Sequence, residues 1–281
     1  SRAVLLGEMM RNYREAIAVS GTHGKTTTTS MLSEIFLVAE ADPTISVGGI
    51  LPSIGGNIRV GGPEFFITEA CEYTNSFLEF FPTIEVILNI EEDHMDFFKD
   101  LADIRSSFTR FAKKTPEQGA VIINGEIEDW QEIVKNTGGR VITFGTDRGF
   151  DYSAGEISYD SLARPTFDFY IRGEKRDTLS LGVSGEHNVY NALAAAAAAL
   201  EAGLSLEAVK RGLLSFTGTK RRFEKKGVLN GVTIIDDYAH HPQEIRASLK
   251  TAQNYPHNRI WCVFQPHTYT RTKAFLDEFA E

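Results

Sequence analysis

An apolar run, Ile17-Ala18-Val19, leads into Gly21-Thr22-His23-Gly24-Lys25-Thr26-Thr27-Thr28-Thr29, and an amphipathic stretch from Ser30 to Ala39 follows. This order predicts a strand, a glycine loop and a helix, which commits the chain to an α/β fold with the loop at the strand's carboxyl end. The backbone N–H groups of such a loop can cradle a polyphosphate, and the helix N-terminus adds a favourable dipole. Lys25 can set its ammonium against β- and γ-phosphates, and the Thr26 hydroxyl can ligate Mg2+. Gly21, Thr22, His23, Gly24, Lys25, Thr26 and Thr27 are therefore candidate nucleotide-binding residues. The match to G-x-x-x-x-G-K-[ST] is incomplete, because the first glycine of that pattern falls on Val19 and the loop carries Gly21 instead. A plain glycine turn before a Thr-capped helix is the competing reading.

Further strand-like runs recur with helical stretches between them: Phe65-Phe66-Ile67-Thr68, Val86-Ile87-Leu88-Asn89-Ile90, Ala120–Ile123 and Val141–Phe144. Alternation of this kind implies a mostly parallel sheet covered on both faces, with ligands gathering at the carboxyl ends of its strands. Lys25, Glu69 and His94 each fall just after such an end. From about Asp151 to Val183 the period changes to strict alternation around Arg172-Gly173-Glu174-Lys175, which reads as a hairpin. Helices are expected over about His187–Ala202 and Leu206–Leu214, with a polar linker at Phe216–Phe223. Val232-Thr233-Ile234-Ile235 and Ile260-Trp261-Cys262-Val263-Phe264 read as strands of a second α/β unit, with helices at Gln243–Gln253 and Thr272–Glu281.

At 281 residues the chain is long enough for about two domains. A hydrophobic fraction of 42% supports a sizeable core. A net charge of −9 argues against nonspecific binding of nucleic acid or an anionic membrane, but not against a local phosphate site. The two cysteines, Cys71 and Cys262, are far apart, which suits a reducing cytoplasm and gives no zinc spacing. No apolar run approaches the ~18 residues of a membrane helix. Ser1–Arg14 has helical spacing but reads as neither a signal peptide nor a natural start, and the last residues stop inside a helical pattern. Both ends are expected to be cut from a longer protein.

Glu69 and Glu72 flank Ala70-Cys71. A carboxylate at a strand end facing a phosphate loop can hold Mg2+, or it can be a solvated loop acid. His94, with three acids within two residues of it, can ligate a metal, relay a proton or serve structure alone. Asn188 and Asn191 lie three apart at a helix start, where their amides can read an adenine edge or cap the helix. Lys220-Arg221-Arg222 can clamp a γ-phosphate or form a solvated linker, and an acid in Asp236-Asp237 can bind a ribose or cap the next helix. His240-His241 lacks a partner at helical spacing, which disfavours zinc. Gln265-Pro266-His267-Thr268-Tyr269-Thr270-Arg271 suits recognition of a carboxylate.

The ordered set Gly-Thr-His-Gly-Lys-Thr (21–26), Glu69-Ala70-Cys71-Glu72, Asp93-His94, His187-Asn188-Val189-Tyr190-Asn191-Ala192, Gly218–Phe223, Asp236–Pro242 and Phe264-Gln265-Pro266-His267 resembles the Mur ligase superfamily. The resemblance covers essentially the whole chain, and the order is more specific than any one motif. It implies an α/β architecture: a central P-loop ATPase-like domain at 15–219, preceded by a remnant of a UDP-sugar domain at 1–14. The start of a Rossmann-like domain follows at 220–281.

The resemblance further implies a cytoplasmic, ATP- and Mg2+-dependent ligase of peptidoglycan synthesis, contributing to cell wall biogenesis, cell shape and cell division. Its nearest branch joins L-alanine to UDP-N-acetylmuramate through an acyl phosphate. A cousin recycles peptides onto the same sugar, and Gln265-Pro266-His267 favours the alanine branch. By resemblance Lys25 binds the β/γ-phosphates, Thr26 and Glu69 hold one Mg2+, and His94 holds a second. Asn188 and Asn191 line the nucleotide site, Arg222 approaches the phosphates on closure, Asp237 takes the ribose, and His267 and Arg271 sit near the incoming amino acid. Lys25, Glu69, His94 and Arg222 form the implied catalytic set.

Two departures stand out: Cys71 replaces a frequent Asp, and Thr268 replaces a frequent basic residue, leaving Arg271 as the main carboxylate partner. A phosphate-loop switch is disfavoured because no Asn-Lys-x-Asp occurs. A non-catalytic nucleotide-binding module is the remaining alternative. Without a sugar domain the chain alone is expected not to ligate alanine.

Overall fold

The structure is a computed structural model that describes residues 1–280. Ten strands form one sheet: β1 (Glu15–Ser20), β2 (Thr44–Leu51), β3 (Gly56–Arg59), β4 (Phe65–Glu69), β5 (Ile84–Ile87), β6 (Ala120–Asn124), β7 (Arg140–Gly145), β8 (Tyr152–Tyr159), β9 (Pro165–Ile171) and β10 (Glu174–Ser180). Their order in space is β10-β9-β8-β7-β6-β5-β1-β4-β2-β3. Pairing is parallel from β2 to β8 and antiparallel at both edges, so the sheet is mostly parallel as the alternation predicts. After β1 the chain runs to β2, returns to β4 beside β1, and then crosses to β5 on the other side. The carboxyl end of β1 is thus the point where the winding reverses, and a crevice opens there.

The helices are α1 (Arg2–Met10), α2 (Lys25–Val38), α3 (Leu101–Ala112), α4 (Trp130–Val134), α5 (His187–Glu201), α6 (Leu206–Ser215), α7 (Pro242–Gln253), α8 (Tyr269–Ala274) and α9 (Leu276–Ala280). α1 to α6 cover both faces of the sheet. Ile17 and Val19 of β1 point into one apolar cluster with Ile35 of α2, Val209 of α6 and the alanine run of α5. Ala16 and Ala18 point into a second cluster with Met10 of α1, Phe77, and Phe108 and Phe111 of α3. Ala192 and Ala194–Ala199 are all fully buried, and their small side chains let α5 run close to the sheet. At Gly212 a Cβ would lie 2.5 Å from the Cα of Ile35, so α6 can approach α2 this closely only with glycine there.

The expected hairpin is present as β9–β10, and it extends the main sheet through β8. The expected strand at Ile260–Phe264 does not form. The segment is irregular, with Trp261 78% and Val263 98% exposed. Its residues have strand propensity, but a strand needs a partner for its ladder bonds, and among the described residues the strands nearest to it in sequence, β11 (Glu224–Leu229) and β12 (Val232–Asp236), pair with each other. The helix expected over Thr272–Glu281 is two short helices broken at Phe275, and Glu281 lies outside the described residues.

Glu85 on β5 is fully buried, and its Oε2 accepts a hydrogen bond from Thr115 while Oε1 has no partner. Burial pushes its carboxyl well above the usual range. The folded state therefore retains a proton that the unfolded chain releases, and stability falls as pH rises from the ordinary carboxyl pKa towards the raised one. Glu85→Gln keeps the shape and removes the ionisation, so it is expected to raise the melting temperature at pH 8 by roughly 2–8 °C. The gain should vanish near pH 4. Thermal unfolding at the two pH values measures both, and an equal shift at each would refute the assignment.

Candidate functional site

The loop between β1 and α2 is shaped by two glycines. Gly24 has φ +80 and is the N-cap of α2, and a Cβ there would meet the Asn191 Oδ1 at 2.5 Å. Gly21 has φ +142, with Leu88 pressed against it. No side chain caps α2, so the first N–H groups of the helix are left without a capping acceptor beside the loop. Asn89, just past β5, clamps the loop: its Oδ1 accepts the His23 N–H at 2.7 Å, and its Nδ2 donates to the His23 carbonyl at 3.1 Å. No motif in the sequence marks Asn89, and the usable signal is its place after a strand beside the loop.

Lys25 is folded into its own loop. Its Nζ donates to the carbonyls of Gly21 and Thr22 and to Glu72 Oε2 at 2.9 Å. Burial alone would lower the ammonium pKa, but the Glu72 charge beside it reverses the sign and raises it. Glu72 is the carboxylate opposite Lys25, and it also lies 3.7 Å from the His94 Nε2. Glu69 ends β4, where its Oε1 accepts the Gly48 N–H at 2.6 Å. Gly48 and Gly49 leave room for Glu69 and Thr26, since a Cβ on them would lie 2.6 Å from Glu69 Oε2 and 3.0 Å from Thr26 Cγ2. His94 has φ 54, donates its backbone N–H to Asp93 Oδ1, and stacks on Tyr73 at 4.5 Å. Cys71 is exposed.

The loop borders a cleft of about 1210 Å³. His23, Gly24, Thr27, Asn188, Asn191, Arg222 and Asp237 all line it. The two asparagines lie within α5, whose N-cap is Glu186, so Asn188 is not the cap. Asn188 Nδ2 donates to the Ser184 carbonyl at 2.7 Å, and Asn191 Nδ2 donates to Asn188 Oδ1 at 2.9 Å. Asn191 Oδ1 accepts from Thr28 at 3.1 Å, which ties α5 to α2. Beside them burial pushes the His187 imidazole down to about 4, so it is neutral at pH 7. Arg222 reaches within 3.5 Å of the Thr26 hydroxyl. Asp237 accepts from Ser248 and from the Ala239 N–H.

The linker 216–223 is not solvated throughout. Thr219 is buried and donates to Ser30 of α2 at 3.1 Å, and Phe216 is buried.

Arg271 departs from expectation. Its guanidinium forks onto Asp93 at 2.8 and 3.2 Å, with both side chains 8% exposed, so it carries an internal carboxylate. It still borders a cavity of about 300 Å³ together with Tyr73, His94, His240 and His267. Thr268, in place of a basic residue, caps α8 by accepting the Arg271 N–H at 3.3 Å. His23, Glu91 and His241 converge to within 4.8 Å. Both His241 nitrogens already bond, Nε2 to the Glu92 carbonyl and Nδ1 to the Gln243 N–H, so the trio is not a ready metal site.

Residues 19–199 match the Mur ligase middle domain model and residues 221–281 match the model described as Mur ligase, glutamate ligase domain. The chain belongs to the Mur ligase family. It is 60% identical to the UDP-N-acetylmuramate–L-alanine ligase of Lachnospira eligens, over all of this chain and 61% of that protein. It is 57% identical to the enzyme of the same name from Agathobacter rectalis, with the same coverage. The structure of UDP-N-acetylmuramate-alanine ligase from Thermotoga maritima superimposes with a TM-score of 0.76 at 33% identity, over 88% of this chain and 56% of that one. The chain thus spans about 61% of the length of the curated relatives it matches. No helix among the described residues is long and apolar enough to cross a membrane.

Proposed function

We propose that this chain carries the nucleotide centre of a cytoplasmic ATP-dependent ligase that joins L-alanine to UDP-N-acetylmuramate. The observation that supports this most directly is the glycine loop at the end of β1 with Lys25, Thr26, Glu69, Glu72 and His94 gathered around it. The 60% identity to a curated alanine ligase over the whole chain points to the same substrates. The groups present fit Mg2+–ATP. The cradle excludes a Cβ, the helix N–H groups are free, and hydroxyl, carboxylate and imidazole donors stand beside an ammonium.

In this reading Lys25 exchanges Glu72 for the β/γ-phosphates. Thr26 and Glu69 hold one Mg2+ and His94 a second. Bound Mg2+ neutralises charge on the phosphoryl group in transfer. Asn188 and Asn191 hold the back wall of the nucleotide site, Arg222 adds a second cation from across the cleft, and Asp237 accepts the ribose hydroxyls. The sugar-lactyl carboxylate attacks the γ-phosphorus and ADP leaves. The amine of L-alanine then attacks the acyl phosphate, and phosphate leaves. His267 and Arg271 border the cavity where that amine would enter.

The deciding experiment is mass-spectrometric detection of UDP-N-acetylmuramoyl-L-alanine, made from ATP, L-alanine and the UDP-sugar by the full-length protein that contains this chain. Phosphate release that ignores both co-substrates would refute the reading. Glu69→Gln keeps an acceptor for the Gly48 N–H but loses the charge. It is expected to weaken Mg2+-dependent binding of an ATP analogue by about tenfold with little change in melting temperature. Calorimetric titration across Mg2+ concentrations checks this, and an unchanged Mg2+ dependence would remove Glu69 from the metal set.

A further inference from the structure

Glu244 lies in the first turn of α7, and four sets of groups meet on its carboxylate, one of them the His240 imidazole, whose Nδ1 lies 3.6 Å from Oε2. Oε2 accepts the backbone N–H groups of His240 at 3.0 Å and His241 at 3.3 Å, which completes a capping box with His241. Oε1 lies 3.4 Å from His23 Nδ1 of the phosphate loop and 3.9 Å from Arg222 Nη1. The side chain is only 16% exposed. The other His23 nitrogen faces Glu91 Oε2 at 3.4 Å, so the imidazole is held between two carboxylates, and the His241 ring packs on it at 4.6 Å. The same Arg222 extends its other nitrogen to the Thr26 hydroxyl at 3.5 Å. One carboxylate therefore joins α7 to the phosphate loop directly through His23 and to its Thr26 through Arg222.

We propose that Glu244 is a positioning residue that locks α7 onto the phosphate loop and sets Arg222 over Thr26. The proposal rests on the nucleotide reading above for its consequence, but the lock itself is a property of the protein alone. Protonation favours it at neutral pH. Burial would lower the His23 pKa, but Glu244 and Glu91 outweigh burial and push it up to about 9. Burial likewise opposes the Glu244 charge, and His23 reverses this and holds the carboxyl far below its usual range. His241 is the cationic candidate that faces His23 from α7, and burial keeps its pKa below the ordinary value.

A helix cap alone does not need the charge, because Gln serves the capping box as well as Glu. Glu244→Gln therefore separates the two roles. Three measurements on this chain test the lock. The His23 ring, followed by NMR, is expected to titrate near pH 9 in the wild type and about 1 unit lower in Glu244→Gln. Amide hydrogen exchange in α7 and residues 221–223 is expected to speed up about tenfold. The Kd for Mg2+ and a non-hydrolysable ATP analogue is expected to rise about tenfold. His23→Gln should give the same exchange and affinity changes, and the double variant should be no worse than either single one.

Unaltered His23 titration and exchange in Glu244→Gln would show that Glu244 is only a cap. Tighter nucleotide binding would show that it competes with phosphate for Arg222, and either result overturns the proposal. If the wild type binds no nucleotide, the functional reading fails, while the titration and exchange measurements still decide the lock.

Discussion

Lys25→Ala is expected to weaken binding of Mg2+ and an ATP analogue by about one to two orders of magnitude and also to destabilise the nucleotide-free protein. The affinity loss follows from removing a charged phosphate contact, worth about 1.5–3 kcal/mol, or roughly 10- to 150-fold. The stability loss has a different source. Glu72 is 2% exposed, and Lys25 at 2.9 Å is its partner, with His94 more distant at 3.7 Å. Taking away one member of a buried pair strands the other, at a cost of about 3–5 kcal/mol.

The two effects separate in Lys25→Ala/Glu72→Gln. That variant no longer buries an unpaired charge, so it should recover most of the melting temperature while its nucleotide affinity stays as weak as in the single variant. Calorimetric titration and thermal unfolding of the wild type, the single variant and the double variant give both quantities. Wild-type affinity in the double variant would mean that Lys25 is a structural partner of Glu72 and not a phosphate ligand.

The contrast between Lys25 and Glu72 shows what sequence makes legible. The loop 21–26 is read from contiguous residues, because a strand, two glycines, a lysine and a helix start are all local signals, and the structure has them where the pattern puts them. Asn188 and Asn191 were placed on one helix face by spacing alone, and they share it. The bond from Thr28 to the Asn191 amide is not readable, since the two residues are 163 apart. The same holds for Glu72 as the partner of Lys25, Asn89 as the clamp on His23, and Glu244 on His23. Each is a polar residue whose partner is fixed by the winding of the sheet. β2 and β3 are not legible because Gly48-Gly49 interrupt the alternation of β2 and β3 is only four residues long, beginning at Gly56. Ile260–Phe264 differs for the opposite reason: its residues suit a strand, but among the described residues no strand pairs with it.

Arg271→Ala is expected to release the last helices from the sheet domain. Arg271 and Asp93 are 178 residues apart and 8% exposed, and the fork between them is a buried charged contact of α8 with the loop that carries His94. Burial alone would raise the Asp93 pKa, but the neighbouring His94 and Arg271 charges reverse this and lower it. The pair thus contributes stability above the ordinary carboxyl pKa, and this is lost as pH falls through the lowered one. In Arg271→Ala the guanidinium's share of the lowering is lost while that of His94 stays, so the carboxyl pKa moves up; the penalty of about 3–5 kcal/mol is present at pH 7 and relieved as Asp93 takes up a proton in acid. Asp93→Asn/Arg271→Ala should regain stability at pH 7, because two neutral groups replace one stranded charge. Limited proteolysis between residues 254 and 270, with thermal unfolding at pH 7 and pH 4.5, measures the effect. The single variant should be cut faster than the wild type at pH 7, and the double variant should be cut more slowly than the single one. Cleavage of Arg271→Ala at the wild-type rate at pH 7 would show that α8 is held by its other contacts and that the Asp93 fork is incidental.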